Sequence, residues 1–194
     1  MLERIRQQYR SPYLKQRGQS NIFLSPKLIG KNQIMAKTAH KKRQLTFNST
    51  DEMLAEVHSL LENGYRCNGN WSLAQVCGHL SDWMRFPIDG FPKPPLPMRM
   101  IFWVMKKTIG PGMKRKILAE GFRPGIPTAP ETVPKPDAMT DQQAVELLQQ
   151  TVDRMKSFQG ELIPSPLFGP MDRETQRKVG LLHAEHHLGY LEPK

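Results

Sequence analysis

The stretch that decides the fold is Asn70-Trp71-Ser72-Leu73-Ala74-Gln75-Val76-Cys77-Gly78-His79-Leu80-Ser81-Asp82-Trp83. Ser72 and Gln75 stand three residues apart at the head of an apolar run, the spacing at which a Ser side chain and a Gln side chain satisfy each other's backbone amides at a helix start. Val76, Leu80 and Trp83 then recur at helical spacing, and His79 falls three residues after Val76 and four before Trp83, on the same apolar face. This helix is expected to run to about Arg85, because Pro87 disfavours continuation.

The same grammar recurs on both sides. Ser49-Thr50-Asp51-Glu52 reads as a second capping box, opening a helix from about Asp51 to Glu62 with Leu54, Val57 and Leu61 on one stripe and Gly64 placed to end it. Thr140 and Gln143 open a third helix, with Ala144, Leu147, Leu148, Val152 and Met155 carrying it to about Phe158. Asp172 caps a last helix whose Val179, Leu182, His183, His186, His187 and Tyr190 form one broad stripe. Between the second and third helices, residues 87–136 contain eleven of the seventeen prolines and read as an insertion over the scaffold. Within it, Pro97–Thr108 is expected to be a short helix with the run Met100–Met105 buried against the rest, and Gly110–Arg115 a simple turn. Four main helices and almost no alternating pattern indicate an all-α four-helix bundle with a Pro-rich insertion.

The 194 residues suffice for one domain plus some extra length, and 38% hydrophobic residues argue against disorder throughout. No apolar run approaches the roughly 20 residues of a membrane span, so no membrane partner is expected. The net charge of +10 is unevenly placed: residues 1–43 hold eleven of the 28 Lys and Arg and one of the 18 acids, while residues 44–194 hold seventeen of each. Two units follow, a basic arm over 1–43, expected to be disordered, and a helical domain over 44–194. The arm lacks the apolar core of a secretory signal and has no interleaved aromatics, so nucleic acid is not the expected partner. An alternative function keeps that arm as the working part, in a non-enzymatic module contacting nucleic acid or an acidic partner. Two cysteines, Cys67 and Cys77, make no disulfide framework and fit a reducing, cytoplasmic setting.

Three of the six histidines lie within five residues, His183-Ala184-Glu185-His186-His187. Positions i and i+4 lie one above the other on a helix, so His183 and His187 can aim at one point, with His186 to the side. Two ligands on one helix need a third, and His79 is the natural supplier. A lone inward His is nevertheless more often a hydrogen-bonded core residue than a ligand, and on spacing alone both readings stay open. His58 and His40 have no spaced partner. Cys77 lies two residues from His79, so the two point to nearly opposite sides and form no nucleophile and base pair.

Taken together, Asn70–Leu80 and Leu182-His183-Ala184-Glu185-His186-His187-Leu188 resemble the two signature segments of the DinB-like metal-binding four-helix bundles, and most closely the DUF1569 family, over roughly residues 44–191. The resemblance implies a divalent ion held by His79, His183 and His187, with His186 next to it as an orienting or substrate-contacting group. Three imidazoles leave a position open on the ion, as in catalytic sites; Zn or Ni is expected, with Fe also compatible. The resemblance further implies a thiol S-transferase acting on small electrophiles, with a low-molecular-weight thiol as partner; a homodimer is the assembly expected. No residue is assigned to catalysis itself. Asp82 and Glu185 are the nearest carboxylates to the ligand rings in sequence. The Pro-rich segment departs from the compact bundles of the wider superfamily.

Overall fold

In the computed structural model, residues 42–93, 96–124 and 133–194 are described. The basic arm lies outside them up to residue 41, His40 included. Among the described residues six helices and two short strands follow one another: α1 Thr50–Asn63, β1 Tyr65–Cys67, α2 Leu73–Asp89, α3 Leu96–Thr108, α4 Gly110–Glu120, α5 Asp141–Ser157, α6 Arg173–Leu188 and β2 Leu191–Pro193. The chain is mostly helical, with one small sheet in which β1 and β2 pair antiparallel, Cys67 opposite Leu191.

The helix starts show how local chemistry sets the elements. Ser72 Oγ accepts from Gln75 N–H while Gln75 Oε1 accepts from Ser72 N–H, and Thr140 and Gln143 do the same. At α1 the reciprocity is shifted by one residue: Ser49 Oγ accepts from Glu52 N–H, but the Glu52 carboxylate reaches past Ser49 to the backbone and side-chain amides of Asn48. Pro87 does not end α2, which runs two residues further to Asp89. A proline this close to a helix end costs a single ladder bond, and the Gly90 N–H closes the terminus on Phe86 C=O.

The core is drawn from α1, α2, α5 and α6, with Met53, Val57 and Leu60 meeting Leu73, Val76 and Leu80, then Val145, Leu148 and Val152, then Leu181, Ala184 and Leu188. The most extensive helix pairing is that of α2 with α5. Their junction is also bonded. Tyr65 O–H donates to Asp141 Oδ2 at 2.9 Å and accepts from Leu73 N–H at 3.0 Å, while Asp141 Oδ1 accepts from Ala74 N–H at 2.8 Å. The first N–H groups of a helix have no partner within it; here a side chain from β1 and one from the first residue of α5 supply them.

The Pro-rich segment departs from expectation in two ways. Residues 110–115 are not a turn but the start of α4, with Pro111 in the first turn where a missing N–H costs nothing. α4 packs on α6 through Ile117, Val179 and Phe168, with Met113, Leu118 and Trp83 around them. The run Met100–Met105 is not buried: α3 packs chiefly on α4, and Met100 is 73% and Trp103 63% exposed. Gly110 joins the two helices at a point where a Cβ would stand 2.2 Å from Leu167 C=O, so only glycine lets the hairpin approach that carbonyl. Residues 94–95 and 125–132 of this segment lie outside the described residues. Lys42 and Arg43, counted with the arm, lie against the fold: Arg43 N–H donates to Gly189 C=O, Arg43 Nε to Leu191 C=O, and its guanidinium pairs with Glu56.

Two outcomes are expected. Gly110→Ala, which must push back a backbone carbonyl, should cost about 1–3 kcal/mol of unfolding free energy in urea titration. Burial foremost, with the Asp141 carboxylate adding and the Leu73 N–H opposing, pushes the Tyr65 hydroxyl up to about 12. A group whose pKa is raised by folding contributes stability below its unfolded value, about 10 for tyrosine, and loses it as pH rises toward the folded one. The urea midpoint should therefore fall between pH 10 and pH 12, and fall less in Tyr65→Phe.

Candidate metal centre

α2 and α6 lie side by side, and each carries part of one cluster. α2 presents His79; α6 presents His183 and His187 one turn apart. His183 Nε2 stands 3.3 Å from His79 Nε2 and 3.0 Å from His187 Nε2, and the three rings offer one nitrogen each within 4.8 Å of one another. The three histidines singled out in the sequence thus come together.

Such an approach constrains the protons. A neutral imidazole has one N–H and one lone pair, so nitrogens this close repel unless a proton or a cation lies between each pair. Nitrogens bound 2.0–2.1 Å from a tetrahedral zinc-like ion lie about 3.3 Å apart, close to the 3.3 and 3.0 Å that separate His183 Nε2 from its two neighbours. His183 Nδ1 is buried without a hydrogen-bond partner, so it is the Nε2 side of that ring that carries its polar contacts. Burial holds the His183 ring well below its ordinary pKa, with the neighbouring rings His187, His79 and His186 adding to the effect. Burial and the His79, His186 and Lys42 charges lower His187 to about 2. Rings kept neutral are rings with lone pairs to give. The arrangement is compatible with a metal site.

Aromatic walls hold the rings. Trp71, just before α2, stacks on His187 at 4.9 Å with the planes 12° apart and lies 5.0 Å from His79. Trp83 lies 4.8 Å from His183, and Phe122, at the end of α4, 4.9 Å from the same ring. His186 stands beside the cluster rather than in it: its Nδ1 is 3.1 Å from Phe122 C=O. A carbonyl only accepts, so this nitrogen carries the proton and donates, leaving Nε2 as the acceptor.

The two carboxylates nearest in sequence are engaged elsewhere. Asp82 binds the Arg85 guanidinium, and Glu185 Oε1 accepts from Phe47 N–H at 2.8 Å. Burial pushes the Cys77 thiol well up, which keeps it protonated. Phe122 and Lys42 carry no signal in the sequence: the first stands in a Pro-rich segment without periodicity, the second in a basic run that reads as solvated. Lys42 comes near the cluster because Gly189, where a Cβ would stand 2.7 Å from Arg43 C=O, lets residues 42–43 lie against the end of α6. Burial lowers the Lys42 ammonium, with Glu185 opposing.

Histidines whose pKa is lowered by folding bind fewer protons folded than unfolded, so stability is complete above the unfolded value, about 6.5, and is lost as pH falls below it. In the presence of a chelator the urea midpoint should drop between pH 7.5 and pH 5, and drop less in His187→Phe.

The comparisons with known proteins come to the same family as the two histidine segments. No curated protein and no solved structure matches the chain. The family model described as protein of unknown function, DUF1569, matches residues 39–194, which is most of the sequence and the whole of the described fold. The chain belongs to the DUF1569 family.

Proposed function

We propose that His79, His183 and His187 hold one divalent ion through their Nε2 atoms, in a four-helix bundle of the DinB-like kind formed by α1, α2, α5 and α6, and that the chain is a metal-dependent thiol S-transferase acting on small electrophiles. The observation that carries the reading is the convergence of three ring nitrogens from two helices, with His183 Nε2 3.3 and 3.0 Å from the other two, near the spacing of nitrogens on one ion. An all-nitrogen set of this kind suits Zn, Ni or Fe. A bound ion with an open position would supply Lewis acidity, lowering the pKa of a thiol or water that reaches it.

The chain's own groups have separate tasks in this scheme. Trp71, Trp83 and Phe122 pack against the three rings and fix their planes. Phe122 C=O fixes the proton of His186 on Nδ1, so that His186 Nε2 is the atom able to take the thiol proton. The sulfur then forms the new bond to the electrophilic carbon, and a leaving group departs with the electron pair that bound it. Neither cysteine of the chain is needed as nucleophile: Cys77 is buried and protonated, and Cys67 lies exposed on β1.

Protein purified without a metal-affinity column and reconstituted with Zn or Ni should carry one ion per chain by elemental analysis. His187→Ala should abolish stoichiometric metal, whereas His58→Ala should keep it. Absence of metal from the reconstituted native chain overturns the site. Metal without turnover, in a screen of small thiols against electrophilic acceptors, leaves the site and removes the transferase assignment.

A further inference from the structure

Of the eight large apolar side chains that stand exposed among the described residues, six lie between Leu96 and Ile109. Leu96, Met100 and Trp103 follow one another at i, i+4 and i+7 on α3, with exposures of 73%, 73% and 63%, and Ile101 and Val104 flank them at 49% each. This helix turns its apolar side outward, the reverse of a surface helix that feeds a core. It cannot simply fold back to hide it, because the hairpin is held at Gly110 against Leu167 C=O and α4 is anchored on α6 by Ile117.

The charge along this hairpin is almost all of one sign. Between Asp89 and Glu120 the sequence contains no acidic residue, and α3 and α4 together carry Arg99, Lys106, Lys107, Lys114, Arg115 and Lys116 against the single acid Glu120 at the end of α4. Overall neutrality of residues 44–194 conceals this segregation. Exposed Trp, Leu, Met, Ile and Val bordered by Lys and Arg is the composition of a helix that lies in the interface of an anionic bilayer, its apolar side among the acyl chains and its cations at the headgroups. No described helix is long and apolar enough to cross a membrane, and a helix lying in the interface need not be.

We infer that the α3–α4 hairpin is a peripheral membrane contact, docking the protein on anionic lipid through Leu96, Met100, Trp103 and Val104. Two other occupants fit less well. A second copy of the chain would bring the same six cations face to face with one acid on the hairpin, Glu120, which is already paired with Arg123. Nucleic acid would satisfy the charge but offers stacking surfaces, whereas four of the five large side chains on this face are aliphatic.

The test uses the full-length chain with vesicles of phosphatidylcholine and phosphatidylglycerol at 3:1, against vesicles of phosphatidylcholine alone. The native protein should co-sediment with the anionic vesicles, and brominated acyl chains should quench part of its tryptophan emission, since Trp103 enters the lipid while Trp71 and Trp83 stay at the histidines. The Met100→Ser and Trp103→Ser double variant changes only exposed positions and should keep its helical circular dichroism and melting temperature. Its partitioning should be weaker by about tenfold or more, corresponding to the loss of two buried apolar side chains, and the quenching should vanish. Full-strength binding by the variant would assign any lipid contact to the basic N-terminal residues and overturn the proposal. Failure of the native protein to bind anionic vesicles would overturn it too, and a dimer that the double variant dissolves would then identify a second copy as the occupant.

Discussion

Two ring nitrogens, those of His79 and His187, face the single Nε2 of His183, and neutral imidazoles have too few protons to satisfy so many lone pairs within 3.0–3.3 Å. That constraint ties the molecule together, because it holds only while α2 and α6 keep one register. α6 is fixed from within, by Leu181, Ala184 and Leu188 in the core and Val179 under α4. α2 is fixed at its start, where Tyr65, Ser72 and Asp141 take its first three N–H groups and Gln75 reaches Pro134 C=O. A change at Asp141 lies far from any histidine in sequence, yet it loosens the helix that presents one.

The walls of the cluster are aromatic. Its rings are positioned by flat aromatic neighbours rather than by carboxylates, and the carboxylates adjacent in sequence serve Arg85 and the Phe47 amide instead. A carboxylate next to a ring would raise its basicity; an indole or phenyl ring next to it only limits its motion and its access to water. Burial among those walls is what lowers the pKa of His183 and His187.

The helices that build the core were legible because their signals are local: a hydroxyl or carboxylate at the cap, an amide three residues on, and apolar residues every three or four. Ser72–Gln75 and Thr140–Gln143 form the reciprocal bonds that their spacing implies. The meeting of His183 with His187 was legible for the same reason. What spacing could not convey is what faces a helix from another part of the chain. Nothing in the run Met100–Met105 distinguishes a helix looking for a core from one left without it, and eleven prolines in fifty residues hide α4, whose single Pro111 sits where a helix tolerates it. Phe122 and Lys42 reach the histidines through tertiary packing alone, and the pairing of β1 with β2, three residues each, is too short to show an alternating pattern.

The pairing of Cys67 with Leu191 joins two strands separated by almost the whole of the described fold. During synthesis the chain emerges in order, so α2 with His79 is made long before its partner α6 and before the strand that closes against β1. Until then the apolar faces of α1, α2 and α5 have no fourth helix to cover them, and an imidazole stands among them without its companions. Such a nascent chain exposes hydrophobic surface for as long as translation takes to deliver the missing elements, and the exposed run on α3 is made within the same interval. Assembly of the histidine cluster is therefore a late event by topology, and the intermediate that precedes it is the species most in need of protection from aggregation.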